Sequence, residues 1–313
     1  MRKNVTRRQA IATAGAGITG ALAGCLDVAG NFTGGDQVTV TIGGKQFTEQ
    51  LLLSWMSSHM LEDAGFGVEN SFPIGGNTAN HEAITSGDVD HYWEYTGTGW
   101  NYHLGNTEEK IRDPQKLYQR TKETYQEEYG LTWLNTADFN NTYVVTANQQ
   151  WKEETGVGNL SDIAEYINNG NKVDWAVSQE YLNNPTAFGN LPEFYGFEKN
   201  INNVNWVKMA IGTINYRAVA NGDVDLGVGF TTNPNVEKFD LATINDDKNW
   251  FIIYYPAPVV QQDILTEDMR SVLNEPVSAL DTKTIRSLNL KVSDDEGDPK
   301  DVARNWLEDQ GML

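Results

Sequence analysis

One cysteine in 313 residues excludes an intramolecular disulfide and any site built from several thiolates. Basic residues are scarce too: 23 Lys+Arg stand against 43 Asp+Glu, a formal charge of −20. That balance denies the chain the basic face a nucleic-acid binder needs, so no nucleic acid is expected as a partner. The four histidines, His59, His81, His91 and His103, show neither HxH nor HExxH spacing, and no metal site is expected. There is no GxSxG elbow, no Walker P-loop and no GxGxxG after a strand, so neither an enzyme nor a bound cofactor is expected. Beyond the N-terminus no segment is apolar enough to span a bilayer. What the chain does have is rings, with 9 Trp, 13 Tyr and 11 Phe. Hydrophobic residues at 39% suffice for a packed core, and the length suits about two domains of roughly 150 residues.

The N-terminus accounts for the lone cysteine. Arg7-Arg8 precede a mildly apolar, Ala/Gly-rich run from Ala10 to Gly24, the form of an export signal. Paired arginines before a mild apolar run resemble a twin-arginine signal. Leu22-Ala23-Gly24-Cys25 resembles a lipobox, in which Cys25 becomes the lipidated first residue; the alternative is a chance cysteine within a signal. The expected division is a signal over 1–24 and a lipid-anchored, polar tether over 25–37. Cleavage would leave 19 basic against 43 acidic residues, a charge of −24. These acids are spread along the chain, which fits a hydrated surface in a halophile; an ordinary acidic exported protein is the other reading. In multimolar salt the Debye length is about 3 Å or less, so such charge would not steer a ligand from afar.

Strands and helices alternate along the rest, which predicts an α/β fold with mainly parallel sheets. Val38 to Ile42 reads as a first strand, followed by a helix capped at Thr48 and stopped by Gly65. A polar helix is expected over roughly 107–128, a strand over Tyr143 to Ala147, and a capped helix opening at Ser161. One unit occurs twice. Gly87-Asp88-Val89-Asp90 leads to Tyr95-Thr96, and 135 residues later Gly222-Asp223-Val224-Asp225 leads to Phe230-Thr231. Each copy reads helix, Gly turn, acidic strand start, apolar strand, then a ring followed by Thr. In open α/β sheets ligands collect beyond the carboxyl ends of strands, where Tyr95 and Phe230 fall. The paired aspartates are expected to cap turns rather than act as an acid and base, since they sit at the opposite ends of those strands. Rings facing a cleft suit a cationic or zwitterionic ligand; a quaternary-ammonium head has no N–H to donate and would be held by aromatic faces instead.

Several motifs in order then resemble a known family, the substrate-binding proteins of ABC importers for glycine betaine, choline, carnitine and related osmoprotectants. They are Gly44-Lys45-Gln46-Phe47-Thr48-Glu49-Gln50, Glu94-Tyr95-Thr96-Gly97-Thr98, Asn141-Thr142-Tyr143, Asp246-Asp247-Lys248 with Tyr254, and Leu280-Asp281, Leu288-Asn289 and Val302-Ala303. The likeness covers nearly all of the chain after the signal. It implies an α/β, two-lobe type II periplasmic-binding-protein fold with two hinge crossovers. Lobe 1 would span 38–139 plus 247–313, and lobe 2 would span 140–246. It also implies a box of rings around the ligand: Tyr95, Tyr143, Phe230 where the family has Tyr, and Tyr254.

In betaine-binding members a Lys, a Thr and an Arg hold the ligand carboxylate. Lys45 and Thr98 match the first two, and Asn184 stands at the Arg position. Losing a guanidinium removes a bidentate anion anchor, which leaves room for choline or an ammonium ligand with a different tail. Trp93 and Trp100 flank the first ring, as further walls or as strand packing. The resemblance implies capture at the extracytoplasmic face of the cell membrane, with a lipid anchor as the only membrane contact. Partners would be a quaternary-ammonium small molecule, an ABC permease and its ATPase subunits. A binding protein of the same fold for another solute, such as an amino acid, is the alternative. Asn140 and Asn159 match the glycosylation triplet only.

Overall fold

The computed structural model describes residues 38–107, 110–293 and 297–313. The expected signal, Cys25 and tether lie outside those residues. The described residues form ten strands: β1 Thr39–Ile42, β2 Gly67–Asn70, β3 His91–Tyr95, β4 Leu131–Trp133, β5 Tyr143–Ala147, β6 Val173–Val177, β7 Val204–Lys208, β8 Leu226–Phe230, β9 Ala242–Ile244 and β10 Pro256–Gln261. They make two five-stranded sheets, ordered β2-β1-β3-β10-β4 and β7-β6-β8-β5-β9. In the first, β1 runs parallel to β2 and β3, while β10 lies antiparallel to both β3 and β4. The second repeats this, with β6 parallel to β7 and β8 and β5 antiparallel to β8 and β9. Each sheet therefore has four strands in one direction and one reversed. The reversed strand is the one the chain supplies on arriving from the other sheet. Residues 134–142 carry it from β4 to β5, and residues 245–255 carry it back from β9 to β10. Two lobes joined by two crossovers result.

The repeated unit occupies equivalent places in the two lobes. Gly87 and Gly222 end their helices, Asn77–Ser86 and Thr213–Asn221, in the left-handed region with φ of 84° and 74°. Three residues on, the Asp90 carboxylate accepts the Thr41 N–H of β1 at 2.9 Å, and Asp225 accepts the Asp174 N–H of β6 at 2.8 Å. Asp90 and Asp225 thus extend the pairing between neighbouring parallel strands, where turn-capping had been the expectation. Eight residues after each glycine, β3 ends in Tyr95 and β8 in Phe230.

Helix boundaries depart from expectation where side-chain capping decides them. The first helix, Thr48–Asp63, takes Phe47 as its extended N-cap, so Thr48 is already helical. The polar helix begins only at Pro114, where Asp113 accepts the Lys116 N–H at 2.7 Å and proline suits the first turn. Residues Thr98–His103 ahead of it form a π-helical turn that apolar spacing did not announce. The capped helix starts at Leu160, one residue early, because Asp162 reaches back to the Asn159 N–H at 2.8 Å. Much of the ring content is core: Trp93 and Trp133 in one lobe and Trp175 in the other are fully buried. Among the described residues no helix is long and apolar enough to cross a membrane.

Candidate ligand-binding site

Because β5 runs against β8, the start of one lies beside the end of the other, and Tyr143 pairs directly with Phe230. Tyr95 ends β3 in the other lobe, opposite Pro256 of β10. Tyr254 stands just before β10 on the returning crossover. These four rings line one cavity of about 190 Å³, together with Lys45, Phe47, Asn77, Thr98 and Asn141. Tyr143 and Phe230 approach at 5.2 Å between centroids, and Tyr181 tilts onto Tyr143 at 4.8 Å. Phe47 stacks on Tyr95 at 6.3 Å and remains 41% exposed, an open edge of the ring set.

The crossovers fix Tyr254 and Asn141 relative to each other. Tyr254 N–H donates to Asn140 Oδ1 at 2.7 Å, and Asn141 N–H donates to the Tyr254 carbonyl at 3.1 Å. Beside them the Thr142 hydroxyl donates to the Ile252 carbonyl at 2.5 Å. Residues brought in by the two chain passages are thus held by hydrogen bonds between the passages, not only by ring contact.

The Lys45 charge at the cavity is paired. The buried Lys45 ammonium meets Glu94 Oε1 at 2.5 Å and stands 4.9 Å from the Tyr95 ring centroid. Glu94 is fully buried; it also receives Tyr95 N–H at 2.6 Å and Tyr92 OH at 3.2 Å, and His103 Nε2 lies 3.1 Å away. Burial alone would push its carboxyl up, but Lys45 and His103 outweigh it and hold the group down to about 2. Glu49 is a second buried carboxylate, accepting Tyr95 OH at 2.6 Å and the Asn141 amide at 3.0 Å. Its carboxyl is pushed up by burial, against the hydrogen bonds that favour the charged form. Burial, and then the Glu49 charge, drives the Tyr95 hydroxyl well above the usual phenol range, and burial pushes Tyr254 up to about 12. Both rings therefore stay neutral, with their π faces intact.

Of the residues singled out in the sequence, Tyr95, Tyr143, Phe230, Tyr254, Lys45 and Thr98 share this cavity, and Asn184 does not line it. Asn184 follows the short helix Gln179–Asn183, where its Oδ1 accepts the Thr186 N–H and hydroxyl, each at 2.9 Å. A side chain spent on its own turn takes no part in the ring-lined space. Trp93 is buried with its indole N–H on Ser57 at 2.9 Å and Trp100 packs beside Ile253, and neither lines this cavity. Phe47, Asn77, Asn141, Glu49 and Tyr181 are site neighbours that the sequence does not announce. Phe47, Glu49 and Asn141 fall within the motifs that carry the family resemblance, but nothing in their spacing marks a shared cavity. A second space of about 370 Å³ adjoins the first and shares Phe47, Asn141 and Phe230 with it.

A family model described as the substrate binding domain of an ABC-type glycine betaine transport system matches residues 38–309. A glycine-betaine-binding protein of Pseudomonas aeruginosa is 30% identical over 299 residues, 92% of this chain and 94% of that protein. The glycine betaine-binding protein YehZ of Escherichia coli is 30% identical over 278 residues, 87% of this chain and 90% of YehZ. The solved apo structure of YehZ superposes with a TM-score of 0.79 at 28% identity, covering 89% of this chain and 100% of that one. The chain belongs to this family of transport substrate-binding proteins, which are not enzymes, and has their type II periplasmic-binding-protein fold.

Proposed function

We propose that this protein captures a quaternary-ammonium osmoprotectant between its lobes and delivers it to an ABC permease with its ATPase subunits. The ligand class includes glycine betaine, choline and carnitine. The observation that carries the reading is the meeting of Tyr95, Tyr143, Phe230 and Tyr254 in one cavity. Each well-placed face contributes roughly 0.5–2 kcal/mol to a desolvated cation. Na⁺ and K⁺ gain less there, because stripping their tighter hydration costs more. Lys45 and Thr98 form the polar wall; Asn184 has no part in this reading. Lobe 1 comprises 38–139 and 247–313 and lobe 2 comprises 140–246, so the rings come from both sides of a closing cleft. Export by the twin-arginine signal and anchoring through lipidated Cys25 put capture outside the membrane, in a salt-rich setting that suits the acidic surface.

Titration calorimetry at high salt tests the box. Tyr254→Ala is expected to weaken binding of the preferred ligand by at least about tenfold, whereas Tyr254→Phe, which keeps the π face, stays within about threefold. Equal affinities for wild type and Tyr254→Ala would remove this ring from the site.

A further inference from the structure

The passage returning from the second sheet to the first, residues 245–255, brings Tyr254 to the ring-lined cavity. Its first half is fastened to the second sheet's side. Asp246 accepts the Trp250 N–H at 2.9 Å and the Phe251 N–H at 2.8 Å. Both rings pack in the core of that sheet, and the Trp250 indole N–H donates to the Ala187 carbonyl at 2.6 Å. Its second half belongs to the other side, where Ile253 packs with Trp100, Ile111 and Leu117.

Two cations reach across from that other side. Lys110 and Arg112 stand just ahead of the helix Pro114–Tyr129, which packs on β4 of the first sheet. The Lys110 ammonium donates to the Trp250 carbonyl and lies 3.9 Å from the Trp250 ring centroid. The Arg112 guanidinium donates to the Asn249 carbonyl at 2.8 Å. It also lies 4.5 Å from the Phe194 centroid and 5.4 Å from that of Trp250. These separations fall inside the roughly 6 Å over which a ring face attracts a cation. Phe194 packs against the same core as Trp250, so the grip is on the second sheet's side as a whole. Neither cation lines the ring-bearing cavity. Carbonyl oxygens and ring faces both attract positive charge, so a neutral side chain of similar length would keep much of the packing and lose the grip. Contacts that join two parts of a protein without ligand bias it toward the arrangement they fit, and apparent affinity scales with the fraction so arranged.

We propose that Lys110 and Arg112 are positioning residues for ligand capture, clipping the returning passage where Tyr254 meets the other rings without touching the ligand themselves. The clip stands on its own contacts; only its effect on affinity rests on the aromatic-box reading above.

Calorimetry with choline and with glycine betaine, joined to amide hydrogen exchange on the ligand-free protein, tests the clip. Replacing both cations, Lys110→Met with Arg112→Met, is expected to weaken the two ligands by the same factor, at least about fivefold. The charge-keeping pair Lys110→Arg with Arg112→Lys should stay within about twofold of wild type. In the ligand-free Met variant the Trp250 and Tyr254 amides should exchange at least about tenfold faster, while those of β5 keep their protection and show that the variant is folded. Native affinity or native exchange in the Met variant would overturn the clip. So would an equal loss in the charge-keeping variant, or a loss confined to one of the two ligands. Should the wild type bind neither ligand, the box falls and hydrogen exchange alone decides the clip.

Discussion

Lys45 shows how far one residue's role depends on a partner distant in sequence. Its place in the Gly44-Lys45 motif suggested an anion anchor, yet its ammonium is paired with Glu94, 49 residues on, beneath the cavity. Removing one member of a buried pair strands the other charge, at a cost of about 3–5 kcal/mol. Lys45→Met is therefore expected to lose about that much stability at neutral pH, while adding Glu94→Gln recovers a good part of it. Thermal or urea unfolding measures both, and a double variant no more stable than Lys45→Met would contradict the pairing. The pH dependence follows in sign. Glu94 sits near 2 in the folded protein against 4.5 normally, so its stabilisation is full above 4.5 and is lost as pH falls toward about 2. His91, buried and lowered to about 4, adds a loss of stability between about 6.5 and 4, because it must remain neutral when folded.

At the level of elements, short-range order was the legible part. The strand over Tyr143–Ala147 was legible to the residue, and the doubled Gly-Asp-x-Asp unit marked two equivalent strands ending in rings. What escaped was set by packing between segments far apart. The π-helical turn at Thr98–His103 has no apolar period to betray it. The place of Asn184 depended on a loop, whose local hydrogen bonds a motif match does not specify. Gly97 is a further case. Its φ of −68° suits any residue, but a Cβ there would collide with the Ile253 carbonyl and press on the Tyr254 ring. Gly97→Ala should thus displace the returning crossover, weaken ligand binding by at least about tenfold and leave the protein folded. Circular dichroism together with titration checks this, and native affinity in the Ala variant would show that the crossover has slack.

For the whole molecule, a matched topology explains why a ring-lined cavity arises between the lobes. Each sheet borrows its reversed strand from the other side, so the ends of β3 and β8, the start of β5 and the run into β10 all face the same gap. The excess of rings divides accordingly, with tryptophans filling the cores while a few tyrosines and phenylalanines line the gap. The surface acids have no counterpart in this arrangement: the two carboxylates at the site, Glu49 and Glu94, are buried. On the proposed function, those rings recognise positive charge rather than shape. Calorimetry in high salt tests this with choline and its neutral carbon isostere, in which a tert-butyl group replaces the trimethylammonium. The isostere should bind at least about tenfold more weakly than choline, since it fills the box without attracting the π faces. Equal affinities for the two would contradict recognition by charge.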